Sequence, residues 1–269
     1  MHAKTIKVLM IGDIVGNTGC RIFQQYSAKL RTQIGADFLI VNGENSASNG
    51  RGITESIVKS LKHNGADVIT SGNHIWAQKD IMPYLQAGNT DLLRPANFPS
   101  ACPGDGLTTV SRDGVTIGVI NIQGRVFMRE QVDDPFKTLD SILTYLQTKT
   151  KLIFVDVHAE TTAEKQGIAH YLDGRVTGVV GTHTHVQTAD ERILPGGTAF
   201  ITDLGMVGSL NSMIGMKKEP IIWNMRTQLP VRFEVDDAPP YVLAGVWIEA
   251  DVATGKAVTI ERVRIVADQ

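Results

Sequence analysis

Short, almost uninterrupted apolar runs recur along the first two thirds of the chain, and polar stretches separate them. These runs predict β-strands at residues 6–11, 38–42, 66–71, 152–157 and 176–180. Continuous apolar character is typical of strands that are covered on both faces, as in parallel sheets. We therefore expect a sheet built largely from alternating strands and helices.

Helical patterns fill most of the intervals between these strands. They predict helices at residues 20–34, 54–64, 78–86, 135–148 and 163–171. Thr54 is a good N-cap for the second of them. The glycine-rich segment 12–19 before the first helix predicts a turn.

The remaining strands predict antiparallel additions to this pattern. Asp113-Gly114 joins strands at 107–111 and 115–122 in a hairpin. Thr254-Gly255 joins a second pair at 242–250 and 257–266, and residues 198–202 form one more strand. We expect one mixed α/β domain over residues 1–269.

Residues 206–218 are rich in glycine and methionine and predict a loop. Within it, Met206–Met216 is either a lid that faces the substrate or a methionine-lined part of the core. Both interpretations fit the composition equally well.

Composition narrows the class of protein. The chain is 42% hydrophobic, with a formal net charge of −2 and a mean hydropathy of −0.03. This balance gives no bulk electrostatic reason to bind a nucleic-acid polymer or an anionic membrane, although a local site can still hold a small anion. No apolar run is long enough for a membrane helix, and no secretory leader is recognisable. The two cysteines, Cys20 and Cys102, form no CxxC pair, so we expect reduced thiols in a cytoplasmic protein.

Polar residues of metal-ligating types follow five of the predicted strands. Ligands of open α/β sheets bind beyond the carboxyl ends of the strands. If these strands share one sheet and run parallel, their polar residues converge on one rim. The candidates are Asp13, Glu44, Asn45, Asn73, His74, His158, His183 and His185.

These residue types predict the class of metal. Carboxylates, amide oxygens and imidazoles without a thiolate suit first-row ions such as iron, manganese or zinc. Eight candidates exceed the needs of one tetrahedral ion and fit two ions with one bridging carboxylate. Two divalent ions beside Asp13 and Glu44 leave a surplus of about two positive charges, which a hydroxide and a phosphodiester would balance.

The sequence motifs of P-loop, dinucleotide-binding and serine-hydrolase enzymes are absent from this chain. The Gly12–Gly19 turn matches neither GxxxxGK(S/T) nor GxGxxG, and the chain has no GxSxG motif. His2, His63 and His170 lie outside the pattern of strand ends and predict no special role. Three charged residues near the fourth strand end could support the site, but exposed helix positions are the simpler interpretation: Glu160, Glu164 and Lys165.

The strand-end motifs together resemble the calcineurin-like metallophosphoesterases. The usual order of motifs in that family is D-x-H, G-D, G-N-H, H and G-H-x-H. The matching segments are Gly12-Asp13, Gly43-Glu44-Asn45, Gly72-Asn73-His74, His158 and Gly181-Thr-His183-Thr-His185.

Two departures from that order identify a subgroup. Asp13-Ile14-Val15 lacks the histidine of D-x-H, and Glu44-Asn45 replaces the aspartate of G-D. Both features resemble the YmdB-type cyclic-nucleotide phosphodiesterases. Four further segments share the likeness, which then covers nearly the whole chain: Gly50-Arg-Gly52, Arg94-Pro-Ala-Asn97, His158-Ala-Glu160 and Ile214–Glu219.

The resemblance implies a four-layer α-β-β-α sandwich and two metal ions per chain. Iron is the implied metal, with manganese or zinc as alternatives. Asp13, Asn45 and His185 would bind the first ion. Asn73, His158 and His183 would bind the second, and Glu44 would bridge them. His74 would lie over the phosphate as transition-state stabiliser or general acid.

The implied reaction opens 2′,3′-cyclic nucleotides at the 2′ position and leaves 3′-nucleotides, through attack of a metal-activated hydroxide on phosphorus. RNA-derived ends are a related substrate class, no membrane is involved, and homo-oligomers are common in the subgroup. Two alternatives stay open. One is a broader phosphodiesterase or phosphomonoesterase that also accepts 3′,5′-cyclic nucleotides. The other is a metal-bound regulatory module that binds nucleotides or RNA ends with little turnover.

Overall fold

The computed structural model describes residues 4–268. The strands are β1 (Thr5–Ile11), β2 (Asp13–Ile14), β3 (Phe38–Asn42), β4 (Val68–Thr70), β5 (Leu107–Arg112), β6 (Val115–Gln123), β7 (Ile153–His158), β8 (Gly178–Thr182), β9 (Arg192–Ile193), β10 (Ala199–Ile201), β11 (Met206–Ser209), β12 (Tyr241–Asp251) and β13 (Ala257–Ala267). The helices are α1 (Gly16–Ile34), α2 (Glu55–His63), α3 (Ile81–Gln86), α4 (Pro135–Leu146), α5 (Thr162–Leu172) and α6 (Lys218–Thr227).

The strands form two mixed sheets. The first has the order β2-β11-β12-β1-β3-β4, and β13 pairs with β12. Within it β1, β3 and β4 run parallel, whereas β12 runs antiparallel to β1. The second has the order β5-β6-β7-β8-β10-β9, with four parallel strands between antiparallel edges. Both predicted hairpins are present, as β5–β6 and β12–β13.

Three hydrophobic clusters define four layers. The first packs α1, α2 and α3 against the outer face of the first sheet. The second lies between the two sheets and joins residues such as Ile40 and Phe154. The third packs α4 and α5 against the outer face of the second sheet. Each central strand contributes to two clusters, since Leu39 and Ile40 face opposite layers, and this explains the continuous apolar runs. The predicted α-β-β-α sandwich is confirmed.

The strands with polar ends do not all share one sheet. β1, β3 and β4 belong to the first sheet, and β7 and β8 belong to the second. The carboxyl ends of both parallel sets nevertheless meet, because the sheets pack face to face through the cluster between them. The candidate site therefore spans the edge of the whole sandwich.

Two other expectations are corrected. The turn predicted at 12–19 contains the short strand β2 and the start of α1 at Gly16, and Gly19 permits close packing on the carbonyl of Val207 in β11. The loop predicted at 206–218 contains the buried strand β11, and α6 follows it. β11 obtains its hydrogen bonds from β2 and β12, which are distant in sequence. α6 buries only Ile221, so it carries little apolar signal.

Among residues 4–268, no helix combines the length and the apolar character that crossing a membrane requires. Cys20 and Cys102 are both free and partly buried. His63 and His170 are exposed on α2 and α5, as expected of histidines without a special role. His2 lies outside the described residues.

Candidate metal centre

All eight predicted site residues meet at the carboxyl edge of the sandwich. Asp13 follows β1, and Glu44 and Asn45 follow β3. Asn73 and His74 follow β4, His158 ends β7, and the two remaining histidines follow β8. Most of these side chains are buried, whereas His74 is partly exposed to the cleft above them.

His158 lies at the middle of the cluster. Its Nε2 atom is 3.2 Å from Glu44 Oε2, 3.1 Å from Asn73 Oδ1 and 3.1 Å from His183 Nδ1. One ligand atom from each of Glu44, His158 and His183 lies within 4.8 Å of the other two. Four potential ligand atoms therefore surround one small volume.

His183 is held by a residue that sequence reasoning treated as an exposed charge. Its Nε2 atom lies 3.0 Å from Glu160 Oε2. Burial lowers the pKa of His183 to about 3, so the neutral ring donates this hydrogen bond and directs Nδ1 into the cluster. A carboxylate that orients a histidine in this way is typical of metal sites. The sequence motif His158-Ala-Glu160 was the signal from which a role of Glu160 at the site could have been predicted.

The second group of ligand atoms surrounds His185. Its Nε2 atom lies 3.3 Å from Asn45 Oδ1 and 3.8 Å from Asp13 Oδ1. Its Nδ1 atom donates to the carbonyl of Ile214 at 2.8 Å, and this fixes Nε2 toward the cluster. Asp13 Oδ2 accepts from the backbone N–H of His183 at 3.2 Å, which ties the two groups together.

Buried charges compensate one another in the cluster. Burial raises the pKa of Asp13 to about 6. Burial alone would raise the pKa of Glu44, but His158 and His74 hold it well below its usual range. Burial opposes the charged form of His158, yet Glu44 raises its pKa to about 9. A metal cation in the cluster would compensate the negative charge of Glu44, as the proton on His158 does.

The residues present fit a metal centre. Asp13 Oδ1 is buried and has no hydrogen-bond partner among the described residues, and such an atom is costly unless a cation satisfies it. The surrounding donors are imidazole nitrogens and carboxylate and amide oxygens, the set that borderline first-row ions accept. The two groups of ligand atoms are linked, because Asp13 Oδ2 accepts from the backbone N–H of His183.

A buried polar network orients the ring of His158 through its Nδ1 atom, opposite the Nε2 atom that faces the cluster. Its Nδ1 atom lies 3.0 Å from Thr182 Oγ1, which donates to Asp156 Oδ1 at 2.7 Å. Asp156 also accepts from Asn42 Nδ2 at 3.0 Å and from Thr70 Oγ1 at 2.5 Å. No sequence signal pointed to Asp156, because it lies inside an apolar strand.

A buried ion pair holds the loop between the last two histidines. Lys165 Nζ lies 2.8 Å from Asp203 Oδ2, which also accepts from the backbone N–H and the hydroxyl of Thr184. His183 and His185 on either side have φ values of 91° and 62°. Such values are rare for residues other than glycine and need support from the surroundings. The interpretation of Lys165 as an exposed charge is wrong, since it is almost fully buried.

Glu164 supports a neighbouring loop instead of the metal centre. Its carboxylate accepts from the backbone N–H groups of Arg125 and Val126 at 2.8–3.1 Å. The first turn of α5 thereby fixes the chain that leaves β6.

Gly72 provides space that no other residue could leave. A Cβ atom there would lie 2.1 Å from Glu44 Oε2 and 2.3 Å from His158 Nε2. We expect Gly72→Ala to displace both side chains and to lower metal content to less than half, measured by elemental analysis after dialysis. Gly167→Ala on α5 is the matched control, because nothing lies within 4 Å of the added methyl group. Full metal content in Gly72→Ala would contradict this account of the site.

Comparison with known proteins agrees with this geometry. A model of the YmdB-like protein family matches residues 9–263. The chain belongs to the YmdB-like family.

Relatives of this YmdB-like chain match over nearly their whole length. A Bacillus subtilis (strain 168) protein named 2′,3′-cyclic-nucleotide 2′-phosphodiesterase is 48% identical over 260 residues, which cover 97% of each chain. A crystal structure of a novel phosphatase from Mycoplasma pneumoniae has a TM-score of 0.92 at 36% identity, covering 99% of this chain and 95% of that one. A crystal structure of a hypothetical protein from Thermus thermophilus has a TM-score of 0.90 at 34% identity, covering 97% of this chain and 100% of that one.

Proposed function

We propose that this YmdB-like chain hydrolyses 2′,3′-cyclic nucleotides to 3′-nucleotides. The observation that carries the proposal is the cluster of ligand atoms around His158 Nε2 and His185 Nε2, beside the partly exposed His74. The name of the B. subtilis relative supports the substrate class, at 48% identity over almost the full length. This support favours 2′,3′-cyclic over 3′,5′-cyclic substrates and favours an enzyme over a binding module.

We propose two metal ions per chain, with iron as the metal and manganese or zinc as alternatives. Asp13, Asn45 and His185 would hold one ion. Asn73, His158 and His183 would hold the other, with Glu44 shared. Bound metal would activate water for attack on phosphorus and stabilise negative charge on the reacting oxygens.

The protein's own contribution to the reaction is placement of the phosphate and delivery of a proton. The oxygen of water forms a bond to phosphorus and gives up one proton to solvent. The bond between phosphorus and O2′ breaks, and O2′ takes up a proton from His74. Glu44 Oε1 accepts from His74 Nδ1 at 3.0 Å, which leaves Nε2 for the leaving oxygen. The product carries its phosphate on O3′ and a free 2′-hydroxyl.

Asn45 is expected to be the weakest ligand, because a neutral amide oxygen replaces the imidazole that the D-x-H motif provides. We expect Asn45→Ala to lose about one of two metal equivalents while the other stays bound. Elemental analysis after dialysis measures the loss, and Asn64→Ala at the end of α2 is the control. Two full equivalents retained in Asn45→Ala would show that this residue is not a ligand.

The function is tested on purified protein reconstituted with iron or manganese under reducing conditions. Incubation with 2′,3′-cyclic AMP should give adenosine 3′-phosphate, identified by chromatography against the 2′ isomer. A chelated, metal-free sample should give no product. Two bound metals without turnover would support the metal site but reject 2′,3′-cyclic nucleotides as the substrates. Protein that binds no metal would reject the metal-dependent mechanism.

We also propose that residues 1–269 act as one cytoplasmic domain that forms homo-oligomers. The site takes ligands from both sheets, so neither part of the chain could build it alone. Three exposed apolar side chains on and after α6 offer a surface for a second copy: Ile222, Trp223 and Leu229. Light scattering that gives a monomer at micromolar concentration would reject the oligomer.

A further inference from the structure

A large cleft opens from the metal centre toward α6 and the segment after it. Its volume is about 920 Å³, and Glu44, His74 and the last two site histidines form one end. Pockets for compact small ligands span roughly 300–1,000 Å³, so the cleft is near the upper end of that range. A cyclic mononucleotide at the metals would leave part of this space free.

The charge of the cleft away from the metals is positive. Arg51 and Arg232 both line it, and Glu44 at the metal end is the only acidic residue in its described lining. Neither guanidinium forms an ion pair within residues 4–268. Glu234, close to Arg232, pairs with Lys217 at 2.9 Å. Because the reacting phosphate binds at the metals, these two cations point to a further anionic group.

Exposed apolar side chains line the same cleft. Ile214, Met225 and Phe233 line the cleft and are 51%, 60% and 39% exposed. Sites for single-stranded nucleic acid combine positive charge along the backbone with aromatic and apolar faces for the bases. Such contacts tolerate every base.

We propose that the cleft binds the 3′ end of single-stranded RNA that carries a terminal 2′,3′-cyclic phosphate. The terminal nucleotide lies at the metals, and the preceding one lies against Phe233 with its phosphate near Arg51 or Arg232. This inference rests on the proposed function and specifies its substrate. The bond changes are those given above, and the product is an RNA with a 3′-phosphate. DNA is excluded as a substrate, because the cyclic phosphate requires the 2′-oxygen.

The test compares metal-loaded protein on 2′,3′-cyclic AMP and on ApA with a 2′,3′-cyclic phosphate. We expect kcat/KM for the dinucleotide to be about thirtyfold higher, because one stacked base contributes about tenfold and the additional phosphate contact about threefold. A 5′-phosphorylated cyclic mononucleotide separates the contribution of the extra phosphate from that of the extra base. Raising salt from about 50 to 200 mM should lower the advantage about threefold for each additional phosphate that is contacted.

The double variant Arg51→Gln/Arg232→Gln should reduce the ratio of the two kcat/KM values from about thirty to about ten, since stacking alone then remains. Arg226→Gln on α6 is the matched control, because Arg226 does not line the cleft. A ratio near one in the unmodified protein overturns the inference while leaving the proposed function intact. A high ratio that the double variant does not change overturns it as well.

If neither substrate is hydrolysed, the proposed function fails, and binding decides this inference separately. Fluorescence anisotropy with a labelled oligonucleotide that ends in a cyclic phosphate measures it. Binding that is at least about tenfold weaker in the double variant supports the cleft, and equal binding by both proteins overturns it.

Discussion

Replacing His74 with asparagine is expected to lower kcat by about 10²–10⁴-fold while metal content stays unchanged. General acids contribute rate factors of this size. His74 is partly exposed to the cleft, and its Nδ1 atom is occupied by Glu44 Oε1 at 3.0 Å. Asparagine can keep that hydrogen bond but cannot deliver a proton to O2′. Steady-state kinetics and elemental analysis of the same preparation measure the two quantities.

Two comparisons distinguish a general acid at His74 from a transition-state stabiliser and from a metal ligand. Bis(4-nitrophenyl) phosphate has a leaving group that needs no proton, so its hydrolysis should fall much less than that of 2′,3′-cyclic AMP. Equal loss on both substrates would identify a transition-state stabiliser instead of an acid. The adjacent variant Asn73→Ala should lose metal together with activity, because Asn73 Oδ1 lies 3.1 Å from His158 Nε2.

Replacing Lys165 with methionine is expected to lower the free energy of unfolding by about 3–5 kcal/mol, because it leaves a buried carboxylate without its charged partner. The two side chains are 1% and 0% exposed, and their atoms lie 2.8 Å apart. Chemical denaturation followed by fluorescence measures the change. Thr184 and the two flanking histidines should lose their fixed positions, so metal affinity should fall as well.

The chain contains a matched control for this prediction. Lys59 and Glu55 form an ion pair of 2.7 Å on the exposed face of α2. Lys59→Met should cost less than about 1 kcal/mol, because water screens an exposed pair. The double variant Lys165→Met/Asp203→Asn removes the buried charge and should recover part of the loss. A cost for Lys165→Met as small as that for Lys59→Met would contradict the assignment of a buried pair.

Much of the candidate site was accessible from sequence, because each candidate ligand lies at or just after the end of an apolar strand. The motifs around Asn73 and His183 carry residue types that suit a metal, and the repetition of such residues at five strand ends made them candidates. The structure brings all eight predicted residues together. What local sequence could not show is that the strands divide between two sheets, since an apolar run does not specify its partners.

The supporting groups were predicted least well. Asp156, Asp203 and the carbonyl of Ile214 orient the histidines. Asp156 lies inside an apolar strand, and the other two are many residues away from the histidines that they support. Glu160 and Lys165 were assigned to solvent, because charged residues on a short helix are usually exposed. Glu160 is exposed as expected but also contacts His183, whereas Lys165 is buried against the loop that carries the last two histidines.

By itself, the sequence determined the alternation of strands and helices, both hairpins and the identity of the candidate ligands, because these depend on local periodicity and on short motifs. The tertiary structure decided the pairing of β11, the placement of α6, the burial of Lys165 and the cleft between Arg51 and Arg232. Each of these depends on segments that are distant along the chain, and their energies come from packing and burial that no local pattern records.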